Sequence, residues 1–569
     1  MPTALTPTTD TLLTDPFLQN PGADAVSVVW FTEFAGTAHT VVYGVEGQTT
    51  SVMAKTVQLS RMREDKASKL PSLALEETVF RPIWRHEARL SGLTPGIRQP
   101  YRVISTREDG ALITSAEFSL APAPPTGQSL KILLTSDHQL MPMTAANLQK
   151  VGETVEQVDG VFLAGDLVNV PDRASEWFDD VRGGAFFPCL QGRANFTLER
   201  DGKTTTYTGA PIIQNAPLFP AIGNHEVMGR YTATTPLNDQ FNDPIPWAAA
   251  NKLYQSYADD FNPNNTPSVK QQWLKNNSFN IDTYEEIFSL PTLKRADGGE
   301  TKRYYATSFG DVRLISLYVT QIWRAPSLTP NTRGRYREKQ SSNDNPTQWG
   351  YGQHIFEAIH QGSPQYEWLK AELASDAFQQ AKYKVVMLHH PPHTLGGNIV
   401  PAFTNPVRVF DRNADGAVTA VRYEYPKAQD YIIRDLIPLL EDAQVDLVFY
   451  GHSHLWNRFV GATGMHFLES SNVGNSYGAH QAGNPRKVPQ SLGAYTEDYV
   501  AEGDPNGLQP AVPTLALPKN DQGQPAPYIA SNNLTAFSIL DTGSGTVSSY
   551  YFDTRQPETA VVKFDEFKL

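Results

Sequence analysis

Five apolar runs, each stopping at a polar group able to bind a metal, constrain this sequence more than any other feature. Ile132 to Leu134 lead into Asp137-His138-Gln139, and Val161 to Ala164 into Gly165-Asp166. Leu218 to Ile222 lead into Gly223-Asn224-His225-Glu226, and Val385 to Leu388 into His389-His390-Pro391. Leu447 to Tyr450 lead into Gly451-His452-Ser453-His454. The runs are too continuous for half-exposed strands, and helical stretches (Tyr366 to Leu373, Ala428 to Leu440) lie between some of them. That alternation implies a sheet buried on both faces, with functional groups just past the carboxyl ends of its strands. Each motif alone reads as well as a core histidine or a turn-capping aspartate. Five in order point to one shared site.

The region before these runs reads as β structure. Short strands at Val26 to Phe31, His39 to Tyr43, His86 to Leu90 and Tyr101 to Ile104, with a turn at Leu93-Thr94-Pro95-Gly96, suggest a small β-sandwich. The Pro-rich run Ala121 to Gly127 reads as a linker, which divides the chain into domains 1–125 and 126–569. The far end reads as a hairpin, Ala536 to Leu540 and Val547 to Phe552. Two long stretches, Gln321 to Gly352 and Asn472 to Ala530, read as functional lids or mobile excursions.

Composition narrows the chemistry. A net charge of -13 argues against a nucleic-acid-coating protein. The single Cys189 excludes an internal disulfide and a cysteine-based zinc knuckle, which leaves His, Asp and Asn to hold any metal. No apolar run is long enough to span a bilayer, and Met1 to Gly22 lacks the features of a secretory signal. A cytoplasmic setting is the default expectation, with an extracytoplasmic one and the oligomeric state left open.

Together the motifs resemble the calcineurin-like metallophosphoesterase superfamily, from Lys131 to the C-terminal hairpin. The N-terminal β region is similar to the fibronectin-like domain of plant-type purple acid phosphatases. The resemblance implies an α/β fold: a four-layer α/β/β/α sandwich preceded by a small all-β fibronectin-like sandwich. It implies two divalent or trivalent metal ions (Fe, Mn, Zn or Mg). Asp166 would bridge them, Asp137 and His454 would bind the first, and Asn224, His389 and His452 the second. His225 would lie beside the phosphate as an acid or charge stabiliser, oriented by Glu226. The implied reaction is hydrolysis of a small phosphorylated substrate, a phosphate monoester, through a metal-bound hydroxide. A phosphodiesterase or nucleotidase on the same site, and a non-catalytic phosphate-ligand-binding protein, stand as alternatives.

Two positions depart from the pattern. Gln139 stands where the superfamily often has His, and Asn169 where purple acid phosphatases have their Tyr ligand. The first metal is then left with an oxygen-rich set to which the amide of Gln139 or Asn169 can add, a set that suits Mn, Mg, Ca or ferrous iron. Without the tyrosine the protein is expected to be colourless. Arg324, Arg333 and Arg335 lie in a loop that is either a solvated excursion or a lid gripping anionic substrate. Asp411 to Gly416 begins like a calcium loop but lacks its twelfth acidic residue, so a Ca site and a plain turn remain equal readings. His138 and His390, beside the motif residues, are expected to pack.

Overall fold

A computed structural model describes residues 11–71, 75–294, 300–322, 354–398, 402–481, 483–486 and 500–569. The portion from Lys131 onward is built on two six-stranded sheets. The first has the order Leu218–Pro220, Gly160–Leu163, Lys131–Thr135, Leu534–Asp541, Thr546–Asp553, Val562–Lys568. Its first three strands are parallel, and the strands from the chain's far end join them antiparallel. The second has the order Tyr305–Phe309, Val312–Ser316, Tyr383–Met387, Leu447–Tyr450, His466–Ser470, Trp456–Val460.

The alternation of side chains along a strand sets the layers. Val385, Met387, Leu447 and Phe449 enter the core between the sheets. Their neighbours Val386, Leu388, Val448 and Tyr450 enter a second core, which holds Leu369, Leu436 and Leu440 of the outer helical layer. The helix Thr144–Thr154 adds Leu148 and Val151 to the first core. The fold is thus a mixed α/β architecture of four layers, preceded by all-β sheets. Both faces of each sheet are covered, which explains runs that show no polar alternation.

The N-terminal sheets run Phe17–Gly22, Ala25–Thr32, Trp84–Leu90, Lys55–Gln58, and Leu112–Thr114, Gln99–Thr106, Ala38–Tyr43, Thr50–Met53. Every residue of Ala25–Thr32 is buried. Val26, Val28 and Trp30 face the partner sheet, whereas Val29 and Phe31 join the first core beside Phe178 and Phe187. The two parts therefore share one apolar core.

The helix expected over Ala428 to Leu440 is broken. A π-helical turn, Ile432–Leu436, precedes the helix Ile437–Asp442. Pro438 has no N–H to give to Arg434, and the ladder widens before it. The Asp411 to Gly416 run is the turn of a hairpin between Val407–Arg412 and Val418–Glu424. There Asn413 Oδ1 accepts the amides of Asp415 and Ala417 at 3.1 and 2.9 Å, an Asx turn. No helix among the described residues is long and apolar enough to cross a membrane.

Two buried histidines tie stability to pH. His39 and His86 stack at 3.6 Å inside the β portion, and Thr32 and Thr56 hold the two nitrogens of His86. Burial, with His39 and Arg85 nearby, pushes His86 down to about 2, and burial also lowers His39. Both bind protons more readily when unfolded. Their contribution is complete above about 6.5 and is lost as pH falls, at about 1.4 kcal/mol per pH unit for His86. The melting temperature should drop between pH 7.5 and 5, and His86→Gln should shrink that drop. An equal drop in the variant would refute this source.

Candidate metal centre

The polar groups named above meet past the carboxyl ends of the parallel strands, on tight turns. Asp137, Gln139, Leu140, Asp166, His452 and His454 all have left-handed backbone, with φ between 37° and 83°. They are six of the eleven described non-glycine residues in that region, so backbone strain concentrates here, as it does at sites over-determined by function. The glycines before the ligand-type residues answer to space. A Cβ on Gly223 would lie 2.2 Å from Asp166 Oδ1 and 2.5 Å from its amide nitrogen. One on Gly451 would lie 2.2 Å from Asp137 Oδ2.

The histidine tautomers follow from carbonyl partners, which can only accept. His389 Nδ1–H donates to Ala164 O at 2.8 Å, His454 Nδ1–H to Asn475 O at 3.0 Å and His225 Nδ1–H to Asn169 O at 2.7 Å. Each ring is therefore left with Nε2 for chemistry, the usual arrangement when imidazole serves as a metal ligand. His389 Nε2 lies 3.3 Å from Asp166 Oδ2, 3.1 Å from Asn224 Oδ1 and 3.2 Å from His452 Nδ1. His454 Nε2 lies 3.5 Å from Asp137 Oδ1.

So many electron-rich atoms converging in a buried space require positive charge. Burial disfavours the cationic form of His389, yet Asp166 and Asp137 push it up to about 10. Burial also raises the Asp166 carboxyl, but His389, His225 and His452 outweigh it and hold the group well below the usual carboxylate range. Burial with His390 and His389 alongside lowers His452 well below its ordinary value. A metal cation supplies the same compensation without protons. Donor atoms of Asp137, Asp166 and His389 lie within 4.8 Å of one another, as do those of His389, His390 and His452. Gln139 gives Nε2 to Asp166 Oδ2 at 2.9 Å, while its Oε1 is buried without a hydrogen-bond partner. The residues present fit metal binding.

Two buried carboxylates hold the ligand loops. Glu226 accepts the amides of Asp166 and Leu167 at 2.9 and 2.8 Å and that of Gly223 at 2.6 Å. Burial and Asp166 push it up to about 8. The Glu226 carboxylate holds the main chain on both sides of Asp166, and Asn169 O accepts the His225 ring Nδ1–H. Glu469 plays the equivalent part for the last motif, accepting Ser453 N at 2.8 Å, Thr394 Oγ1 at 2.7 Å and Asn457 Nδ2 at 2.8 Å. Burial raises it to about 7.

The structure brings together Asp137, Gln139, Asp166, Asn169, Asn224, His225, Glu226, His389, His452 and His454. Asn169 gives its amide Nδ2 to Gln139 O at 2.7 Å. Arg324, Arg333 and Arg335 lie outside the described residues. His138 packs, with Nε2 3.0 Å from Thr135 Oγ1 and burial pushing it down to about 3. His390 packs as well: its ring stacks on His452 at 3.8 Å, and it has a nitrogen within 4.8 Å of those of His389 and His452. Sequence reasoning missed Glu469, and the available signal was a lone carboxylate at the end of an apolar strand. It also missed Tyr477, stacked on His454 at 5.2 Å.

A comparison with curated proteins gives no match. Among solved structures, the purple acid phosphatase PPD1 from yellow lupin (Lupinus luteus) seeds is similar. It aligns with a TM-score of 0.51 at 14% identity, over 97% of this chain and 73% of that one, which shows a shared fold. PhoD aligns with a TM-score of 0.43 at 12% identity, over 98% of this chain and 93% of that one. The family model described as calcineurin-like phosphoesterase matches residues 130–455, more than half of the chain and all five motifs up to His454. The chain belongs to the calcineurin-like phosphoesterase family.

Proposed function

We propose that the protein is a two-metal phosphoesterase that hydrolyses the monoesters of small phosphorylated substrates. The observation that carries this reading is the convergence of Asp137, Asp166, Asn224, His389, His452 and His454 at one set of strand ends, with the His389 and His454 imidazoles fixed by main-chain carbonyls. Asp166 would be the carboxylate shared by both cations. Asp137, His454 and the Gln139 amide oxygen would hold the first, and Asn224, His389 and His452 the second. Gln139 takes precedence over Asn169 because its Oε1 is buried without a partner, whereas Asn169 gives its side-chain amide to Gln139 O.

When bound, such cations draw charge from phosphoryl oxygens and make water a better nucleophile near neutral pH. The chain supplies the rest. Asn169 O keeps the proton of a neutral His225 on Nδ1, so Nε2 is the atom that exchanges a proton with a leaving group or, when charged, faces phosphoryl oxygen. Asp166 Oδ1 accepts the His225 amide at 2.8 Å, which ties that histidine to the bridging residue. Glu226 and Glu469 fix the loops so that little reorganisation accompanies the reaction.

Hydrolysis of nitrophenyl phosphate and bis-nitrophenyl phosphate by metal-loaded protein tests the reading. Preference for the monoester is expected; preference for the diester makes it a phosphodiesterase. Bound metal with turnover of neither would mark a binding protein. The loaded protein should also be colourless, since no tyrosine occupies position 169. A strong visible charge-transfer band would contradict that ligand set.

A further inference from the structure

The N-terminal β portion reaches the reaction site through one short segment, Arg63 to Asp65. The short strand Arg63–Glu64 pairs with Val79–Phe80 and lies against the loop that follows Asp166. Arg63 N donates to Asp172 O at 2.9 Å, and its Nη2 to Asp172 Oδ2 at 2.7 Å. The next residues, Glu64 and Asp65, are 0% and 2% exposed.

From Asp65 two paths lead to the same imidazole. Along the first, Arg173 Nη2 donates to Asp65 at 3.1 and 3.3 Å, and Arg173 Nη1 to Glu176 Oε1 at 2.7 Å. Glu176 Oε2 accepts the amides of Asn169 and Val170 at 2.7 and 2.9 Å. Asn169 O takes the Nδ1 proton of His225 at 2.7 Å. Along the second, Asp65 Oδ2 accepts Leu237 N at 2.8 Å, at the start of the helix Leu237–Phe241. The Phe241 ring ends that helix 5.2 Å from the His225 ring. Arg63 braces this helix too, through Gln240 Oε1 at 3.1 Å.

We propose that Asp65 is a positioning residue for the phosphoester reaction, so that the β portion completes the active site. The proposal rests on the role given above to His225. The charges along the first path alternate, Asp65 negative, Arg173 positive, Glu176 negative, and all three side chains are buried, so each fixes the next. An amide at position 65 would remove the negative charge and turn an NH2 group toward the guanidinium and either the Ala67 or the Leu237 amide, leaving Arg173 to Asn238 and Glu176 and free to shift. Glu176 would follow, and with it the Asn169 carbonyl. Displacing a reacting group by a fraction of an ångström is enough to slow an otherwise intact site.

The test compares Asp65→Asn in the wild-type and His225→Asn backgrounds, with Arg81→Lys as a control. Arg81 bonds Glu33, Glu64 and Asp179 in the same interface and lies on neither path. Asp65→Asn should keep its metal, lower kcat about tenfold and change KM less than about twofold. The loss should be greater on an alkyl phosphate, which needs a proton on its leaving group, than on nitrophenyl phosphate. In the His225→Asn background the same change should cost less than about twofold, because nothing is left to position. Arg81→Lys should lower the melting temperature without altering the leaving-group dependence. An equal loss in both backgrounds, or none in the wild type, overturns the proposal. Should Asp65→Asn not fold, Arg173→Lys takes its place in the same cycle. If the wild type hydrolyses nothing, the phosphoesterase reading fails by itself. The His225 imidazole signals in histidine-labelled protein then decide the point: a shift in Asp65→Asn upholds the positioning, and unchanged signals refute it.

Discussion

Asp166→Asn is expected to strip the centre of metal and to lower phosphomonoester hydrolysis by about a thousandfold or more. The substitution keeps size and shape, so the fold should survive. What changes is charge at the meeting point of both proposed cation sites. Asp166 Oδ2 accepts Gln139 Nε2 at 2.9 Å and lies 3.3 Å from His389 Nε2, while Oδ1 accepts the His225 amide at 2.8 Å. An amide nitrogen on either side turns an acceptor into a donor facing donors, and the shared negative charge is gone. Elemental analysis and nitrophenyl phosphate hydrolysis on one preparation read both effects. A variant that retains two metals and wild-type turnover would remove Asp166 from the bridging position.

Gly223→Ala is expected to cost activity about a hundredfold or more, although it adds one methyl group and touches no ligand atom covalently. Gly223 has φ -97° and ψ -174°, ordinary extended backbone that alanine adopts freely. The requirement for glycine here is therefore one of space. The new Cβ would meet Asp166 Oδ1 at 2.2 Å and the Asp166 amide at 2.5 Å, and a main-chain atom clamped by Glu226 cannot yield. Either the Asp166 carboxylate rotates or the Asn224 turn withdraws; both part the ligands. The predicted signature is weaker metal retention with a nearly unchanged circular dichroism spectrum. Full activity in Gly223→Ala would show that the two turns are not in contact in solution.

The comparison of sequence with structure divides along physical lines. The strands at Ile132, Val161, Val385 and Leu447 were legible because a sheet covered on both faces needs continuous apolar runs. Their order also placed the ligand-type residues at one edge. Val562–Lys568 was not legible: its alternation is broken by the adjacent Asp565 and Glu566, and it lies at the sheet's edge, next to no motif. The break before Pro438 was readable in hindsight from the proline alone. The support for the ligand loops was hidden because it is long-range. Glu469 acts on Ser453, and Glu226 acts on Asp166, through hydrogen bonds that no local pattern encodes. Nor does composition tell that Asp65, from the region read as a separate sandwich, bonds Arg173.

The pairing of Lys131–Thr135 with Leu534–Asp541 has a consequence for biosynthesis. The two strands lie about 400 residues apart in sequence, so the first sheet stays open until Leu534–Asp541 has left the ribosome. At roughly 5–20 residues per second, that is a wait of roughly 20–80 s. The β portion can close its own pairings within that interval, since its strands all lie between Phe17 and Leu120. Its outer face, with Phe17 and Phe31, is covered by Phe178 and Phe187, which follow Leu120 by about 60 residues. The aromatic face of a nascent chain is therefore buried early, whereas the edge of Lys131–Thr135 that pairs with Leu534–Asp541 stays unpaired for tens of seconds.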